Sequence, residues 1–321
     1  MDFELDDDQQ ALRTAARELL DDLSSSTQVR AAIESGDGFD RKLWAAMLDQ
    51  GWTAITVPED DGGLGLSWVE AAILAEEVGA HVAPAPIVQH LIAAASVQRD
   101  DVVSVAWSGA REVVPYAPSA DQVVAVVDDE LRLVPGGGQP QAAMDVTREV
   151  GWFEPTGGER IGGQEAVEHH LDTGATLYAA ELLGAAQHML DVSVEYAKDR
   201  VQFDKPIGSF QAVKHRLADM LVDVEGMRSA VYYAAWCLSV ADADSSIAAS
   251  TAKAWCSDAA TRVLASALQV HGGIGFTWEH DTHLYLKRGQ LDSLAFGDAT
   301  FHRARLARLL RPKVEAGDSV L

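Results

Sequence analysis

The stretch DRVQFDKPIGSFQAVKHRLADM, residues 199–220, joins two long helical patterns through a proline–glycine break. Upstream lies TGATLYAAELLGAAQHMLDVSVEYAKDR, an uninterrupted helical run that ends at Arg200. Downstream, Val213, Leu217, Met220, Val224, Met227 and Val231 alternate spacings of four and three, the seam of an antiparallel helical bundle. Pro206 and Gly208 turn the chain, Arg200 closes the first helix and Ser209 is placed to cap the second. A connection that only joins two helices requires neither Phe203 nor Gln211. Two readings of these residues stand open. An arginine and an amide at facing helix ends can hold a diphosphate and a ring edge, with Phe203 or Ile207 as the apolar wall. A cation in the last turn of a helix also satisfies that helix's own dipole.

The helical pattern continues outward. A third helix is predicted from about Ser246 to Val270, a fourth from about Glu279 and a fifth from about Asp298 to Leu310. Between the third and fourth stands QVHGGIGFTWEH, residues 269–280. Gly272 and Gly273 end the helix, either as an ordinary glycine cap or as bare backbone that a ligand can approach. The segment is not a dinucleotide fingerprint, because a helix and not a strand precedes it. His280 and His283 have the spacing of a nominal metal pair but no third ligand, so solvated or capping roles are expected.

Upstream the texture changes twice. From Phe3 to about Gln98 the pattern is helical. Leu12, Ala16, Leu19 and Leu20 share a face, and Leu43, Trp44, Met47, Val69, Ala72, Ile73 and Ala75 continue in short helices. The glycine-rich PEDDGGLGLS (58–67) reads as a loop, and APAP closes the zone. From about Asp101 short β-branched runs follow: VVSVAWS, REVVPYA, QVVAVVDD, ELRLVPGGG and DVTREVGW. The expected organisation is an N-terminal helical domain over 1–100, a reduced β domain over 101–171 and a C-terminal helical bundle over 172–321. Asp172 is the predicted N-cap of the bundle's first helix. The class is mainly α with a small β domain.

Composition bounds the partners. The chain has 321 residues, 48% of them apolar, enough for a sizeable core. With 49 acidic against 25 basic residues, a formal charge of −24, it repels phosphate backbones and anionic membrane, so neither nucleic acid nor membrane is an expected partner. The acidic start MDFELDDDQQ lacks the order of a signal peptide, and no apolar run reaches about 18 residues. Cys237 and Cys256 read as core thiols of a reducing compartment, and a cytoplasmic location is expected.

Three segments together carry a family resemblance. RVQFDKPIGSFQAVKHRLADM and QVHGGIGFTWEHDTHLYLKR resemble the C-terminal domain of acyl-CoA dehydrogenases, and GWTAITVPEDDGGLGLSWVEAAILAEEVG resembles their helical N-terminal domain. In that family a glutamate takes a proton from the acyl-CoA α-carbon while the β-hydride goes to FAD, giving a trans-2-enoyl-CoA. Each flavin site is shared: one subunit provides the β-domain wall and the glutamate, its neighbour the clamp on the adenine dinucleotide end. The resemblance places that clamp at Arg200, Phe203, Ile207, Gln211, Gln269, Gly272 and Gly273.

The departures are equally specific. KRGQLDSLAFGDATFHR puts Gly297 at the usual position of the glutamate, and the alternative position, at about Val240, carries no carboxylate either. Loss of a general base costs roughly 10²–10⁴-fold in rate, so the chain is expected to be inactive alone. Asp298 next door reads first as the cap of the last helix and second as a displaced base, with Asp242 a weaker alternative. The family's threonine-glutamate-proline…glycine-serine-aspartate segment over the flavin ring is not found, and Asp204 replaces the glycine that usually follows the phenylalanine. A preserved clamp beside a damaged catalytic half resembles the shortened subunit of actinobacterial α2β2 acyl-CoA dehydrogenases, which often act on steroid side-chain CoA thioesters. The resemblance therefore implies a non-catalytic subunit, FAD shared with a longer catalytic partner in a heterotetramer, and an acyl-CoA substrate. Two alternatives remain at this level: a self-sufficient homo-oligomeric flavoenzyme using Asp298, and a flavin-free scaffold or acyl-CoA-binding protein.

Overall fold

Strong local caps start the N-terminal helices. In the computed structural model, which describes residues 4–36, 38–97 and 100–317, α1 (Asp7–Leu23) opens with a reciprocal capping box between Asp6 and Gln9. After α2 (Ser26–Ser35) and α3 (Arg41–Asp49), the Ser67–Glu70 pair opens α4 (Trp68–Ala80) in the same way. Helix α4 is buried from Ala71 to Gly79, as its nearly unbroken apolar run demands, and α5 (Ile87–Ala93) is buried throughout. The predicted ends of this helical zone, Phe3 and Gln98, lie outside the described residues.

Each of the five β-branched runs contains a strand: β1 (Val103–Ala106), β2 (Glu112–Pro115), β3 (Gln122–Val127), β4 (Glu130–Pro135) and β6 (Val150–Phe153). Two further strands, β5 (Gln139–Pro140) and β7 (Glu159–Gly162), carry no apolar pattern and form by pairing with their neighbours. The strands make two small sheets, β1-β3-β4-β7 and β2-β6-β5. Alternation along β3 divides its side chains: Val124 and Val126 join the main core, while Val123, Ala125 and Val127 pack between the sheets with Val114, Val134 and Phe153.

The bundle begins earlier than predicted. Helix α6 spans Gln164–Asp199, 36 residues and about 54 Å. Asp172 is therefore not its cap. It lies buried in mid-helix and accepts hydrogen bonds from Arg305 Nη1 and Ser246 Oγ, both at 2.5 Å. A buried aspartate bonded across three helices is indistinguishable in sequence from a cap, because both uses place a carboxylate beside apolar residues.

Strands β8 (Val201–Gln202) and β9 (Lys205–Pro206) form a tight hairpin, followed by α7 (Gln211–Ser239), α8 (Ser245–His271), α9 (Thr282–Leu294) and α10 (Ala299–Ala316). Phe210, not Ser209, occupies the N-cap position of α7, and no side chain caps that end. The seam predicted for α7 is buried at Met220, Val224, Met227 and Val231 but only half-buried at Val213 and Leu217, where the helix leaves the bundle. Asp298 caps α10 as expected, its carboxylate accepting from Phe301 N at 2.7 Å. Helices α4 and α6 touch backbone to backbone: a Cβ on Gly184 would stand 1.7 Å from Glu76 O.

A fully buried charge network binds the three parts. Arg288 of α9 donates to Asp145 at 2.9 Å and to Glu181 of α6 at 3.0 Å, while Arg148 donates to Asp292 at 2.8 Å and also meets Glu181. Burial pushes the Asp292 carboxyl up to about 8. One proton on Asp292 leaves two guanidinium groups facing two carboxylates, the balance a dry interior requires. Among the described residues no helix is long and apolar enough to cross a membrane. Cys237 and Cys256 are buried free thiols.

Candidate functional site

The hairpin at the head of α7 carries the first half of the predicted clamp. Arg200 is the C-cap of α6, its N–H donating to Tyr196 O at 2.9 Å, and Ile207 N closes the hairpin on Arg200 O at 2.8 Å. Phe203 and Asp204 form the two-residue turn, both with positive φ, +53° and +62°. Such turns favour glycine or asparagine; aspartate tolerates the left-handed region and phenylalanine does so at a cost of about 1–3 kcal/mol. This explains why a glycine is usual where Asp204 stands. The strained Phe203 is also 85% exposed. Phe210 meets its ring edge-on at 6.1 Å and Lys205 Nζ sits 4.3 Å above the Phe210 ring.

The second half lies at the end of α8. Gly272 is its C-cap with φ +61° and begins a short 3-10 segment, Gly272–Phe276, that contains Gly273. A Cβ at either glycine would meet open space, so packing inside the chain requires neither, while the positive φ of Gly272 suits a glycine. Gln269 is exposed, as are Phe276 and Trp278. Among the described residues, the side chains of Arg200, Gln211 and Gln269 make no hydrogen bond or ion pair. The arginine that could have spent its charge on its own helix end presents it to solvent instead. The structure thus brings Arg200, Phe203, Ile207 and Gln211 together on one connection and Gln269, Gly272 and Gly273 on the next, with α6 and α8 side by side.

The donor set suits a polyanion bearing a ring: one guanidinium, two amides, bare glycine backbone and exposed aromatic faces.

The interior behind Gly297 is closed. Gly297 is buried with φ +91°, and a Cβ there would lie 2.4 Å from Phe301 Cδ1. The preceding Phe296, also at positive φ (+54°), turns inward among Trp107, His170 and Tyr178 with ring centroids 6.3, 5.1 and 5.7 Å away. Gly174 makes room for it: a Cβ there would stand 2.0 Å from the Phe296 ring. The Lys253 amine, fully buried and lowered to about 7 by that burial, donates to Ser293 O at 2.9 Å, Gly297 O at 3.0 Å and Ser257 Oγ at 3.1 Å. Sequence reasoning missed this plug, since Trp107, Gly174, Lys253 and Phe296 are far apart in the chain and each is unremarkable locally. At the other position considered for a base, Val240 is half-exposed at the end of α7. Asp242 caps the next turn through Asp244 N at 2.8 Å.

The two histidines with metal-pair spacing have other uses. His280 Nδ1 lies 2.6 Å from Thr282 Oγ1, and His283 packs edge-on against Trp278 at 4.6 Å. Among the described residues no group of three or more His, Cys, Asp or Glu is placed to hold a metal ion.

Comparison with known proteins bears on the family and the fold. Residues 6–99 match the acyl-CoA dehydrogenase N-terminal domain and residues 162–310 the acyl-CoA dehydrogenase C-terminal domain. The chain is 36% identical over 318 residues to acyl-CoA dehydrogenase IpdE2 of Mycolicibacterium smegmatis, covering 95% of this chain and 98% of that protein. It is 29% identical to acyl-CoA dehydrogenase FadE27 of Mycobacterium tuberculosis, covering 97% and 99%. Among solved structures, a chain of the ChsE4–ChsE5 complex from Mycobacterium tuberculosis matches with a TM-score of 0.84 at 27% identity, over 97% of this chain and 99% of that one. With its three-part fold, its clamp motifs and these full-length relatives, the chain belongs to the acyl-CoA dehydrogenase family.

Proposed function

We propose that this chain is the non-catalytic subunit of a heteromeric acyl-CoA dehydrogenase, lending its clamp to FAD in the site of a longer catalytic partner. The observation that carries the reading is position 297: where the resemblance puts the family's base stands a buried glycine at φ +91°, and a side chain there would require the Phe301 ring to move. A surface clamp with unspent polar groups is the complement of that loss. FAD, when bound, supplies the hydride acceptor. Arg200 would neutralise its diphosphate, Gln211 and Gln269 would hydrogen-bond its polar edges, and Gly272 and Gly273 would let it approach the backbone. Phe203 and Ile207 would cover its apolar surface. The acidic Asp204 beside a diphosphate is offset by Lys205.

The partner reading draws support from two structural neighbours, one described as the ChsE4–ChsE5 complex and one as a steroid acyl-CoA dehydrogenase of Tcur3481 and Tcur3483. By that likeness the substrate is an acyl-CoA, with a steroid side-chain thioester the favoured class. Asp298 is engaged as a helix cap and exposed, which leaves it without the desolvated setting a working base needs. Arg200→Ala in the assembled complex should weaken FAD binding by about 10- to 150-fold, the worth of one charge-assisted bond at ~1.5–3 kcal/mol. Unchanged FAD affinity in that variant rejects the clamp.

A further inference from the structure

The two halves of the clamp approach through different helices, and something must set the distance between them. Tyr196 stands one turn before Arg200, on the carbonyl that receives the Arg200 N–H. Its ring lies face to face with His271, the residue immediately before Gly272, at 4.5 Å and 27°. His271 in turn lies 4.6 Å from His280, at the far end of the glycine loop, with the rings tilted by 49°. Three rings from three segments thus form one series of contacts, stacked at Tyr196–His271 and tilted at His271–His280. Its middle ring and one end are fixed: His271 Nδ1 donates to Ala267 O at 2.8 Å, and His280 Nδ1 is engaged by Thr282. His271 Nε2 is buried without a hydrogen-bond partner among the described residues, so the ring contacts and one hydrogen bond are what this imidazole makes.

We infer that Tyr196, His271 and His280 are positioning residues of the clamp, a ring column that holds the Arg200 hairpin and the Gly272–Gly273 loop at the spacing that FAD requires. The inference rests on the clamp reading above. It differs from it in assigning a role to residues that touch no ligand. Stacking holds only if both histidines are neutral, and burial lowers both from the ordinary imidazole value. The charged groups around them are Asp281, next to His280, and Arg30 of α2, which pairs with Asp281.

The test compares His271→Leu and Tyr196→Leu, which remove a ring, with His271→Phe and Tyr196→Phe, which keep one. Hydrogen exchange on the full chain is the first readout. In His271→Leu the hairpin amides at 201–207, more than sixty residues away in sequence, should exchange faster, and His271→Phe should restore them. In the assembled complex, FAD titration of the leucine variants should give roughly 3- to 10-fold weaker binding, the factor one ring contact supplies. Unaltered hairpin exchange, or FAD affinity unaltered by loss of a ring while Arg200→Ala still weakens it, overturns the column and leaves the clamp standing. If Arg200→Ala is also silent, the clamp reading falls and takes the column with it. A leucine variant that fails to fold leaves the decision to the phenylalanine pair, whose FAD affinity must then match the parent chain.

Discussion

At the scale of single residues, two phenylalanines sit on backbone that an unconstrained chain would avoid. Phe203 and Phe296 both hold positive φ, a costly choice for an aromatic, and they are used in opposite ways. Phe203 is exposed at the tip of the hairpin, whereas Phe296 turns inward among Trp107, His170 and Tyr178. The neighbouring Gly297 is committed to φ +91° and packs against Phe301. Gly297→Glu should therefore fail to create a second working site and should lower stability by about 1–3 kcal/mol through overpacking against Phe301 and backbone strain. Turnover by a complex whose partner has lost its glutamate, together with the unfolding midpoint, checks both parts. Recovered activity would mean that the plug yields to a carboxylate. Asp298→Asn should retain most of its capping bond and leave turnover within about two- to three-fold of the parent.

At the scale of elements, the proposed clamp depends on α6 and α8 running side by side, and the plug depends on α9 delivering Phe296 and Gly297 into the core. The buried network of Arg148, Arg288, Asp145, Glu181 and Asp292 sets the position of α9 against α6 and the β region. Arg288→Met removes the guanidinium, leaves Asp145 without its main partner and leaves Glu181 with Arg148 alone, so the loss should be about 3–5 kcal/mol. Urea unfolding checks this, and a change below about 1 kcal/mol would show that the network is dispensable. Helix α10 docks by the same logic through Arg305 to Asp172 and Glu168, and through Lys313 to Asp244.

At the scale of the whole molecule, four histidines are held near 4, mainly by burial: His90, His170, His188 and His302. Their folded values lie below the ordinary imidazole value, so between about pH 6.5 and 4 the unfolded chain binds more protons than the folded one. The stability associated with them is complete above about pH 6.5 and is lost as pH falls toward 4, at up to about 1.4 kcal/mol per pH unit for each histidine. Asp292, raised by burial to about 8, works in the opposite sense across the whole of this window, one group against four. The urea midpoint should fall steeply from pH 6.5 to 5. A flat midpoint over that range would show that these imidazoles are charged in the folded chain.

Much of this protein was legible in the sequence because the relevant physics is local. Helical periodicity, glycine caps, the Asp298 cap and the period-2 runs depend on residues within one or two turns of each other. They were enough to place the bundle and the small β region, while the family came from the resemblance carried by three contiguous segments. The residues of the proposed clamp could be named from the sequence because they lie in two short segments at helix ends. What the sequence could not reveal is set by contacts between distant segments. Asp172 reads as a cap and is a buried anchor for Arg305, because only packing decides whether a carboxylate meets a helix end or a guanidinium from elsewhere. Strands β5 and β7 form by pairing and leave no hydrophobic signature. That position 297 is a glycine is written in the sequence. That it is buried, with Phe301 packed against it and Phe296 turned in among Trp107, His170 and Tyr178, is decided by contacts between segments that no single stretch of the chain encodes.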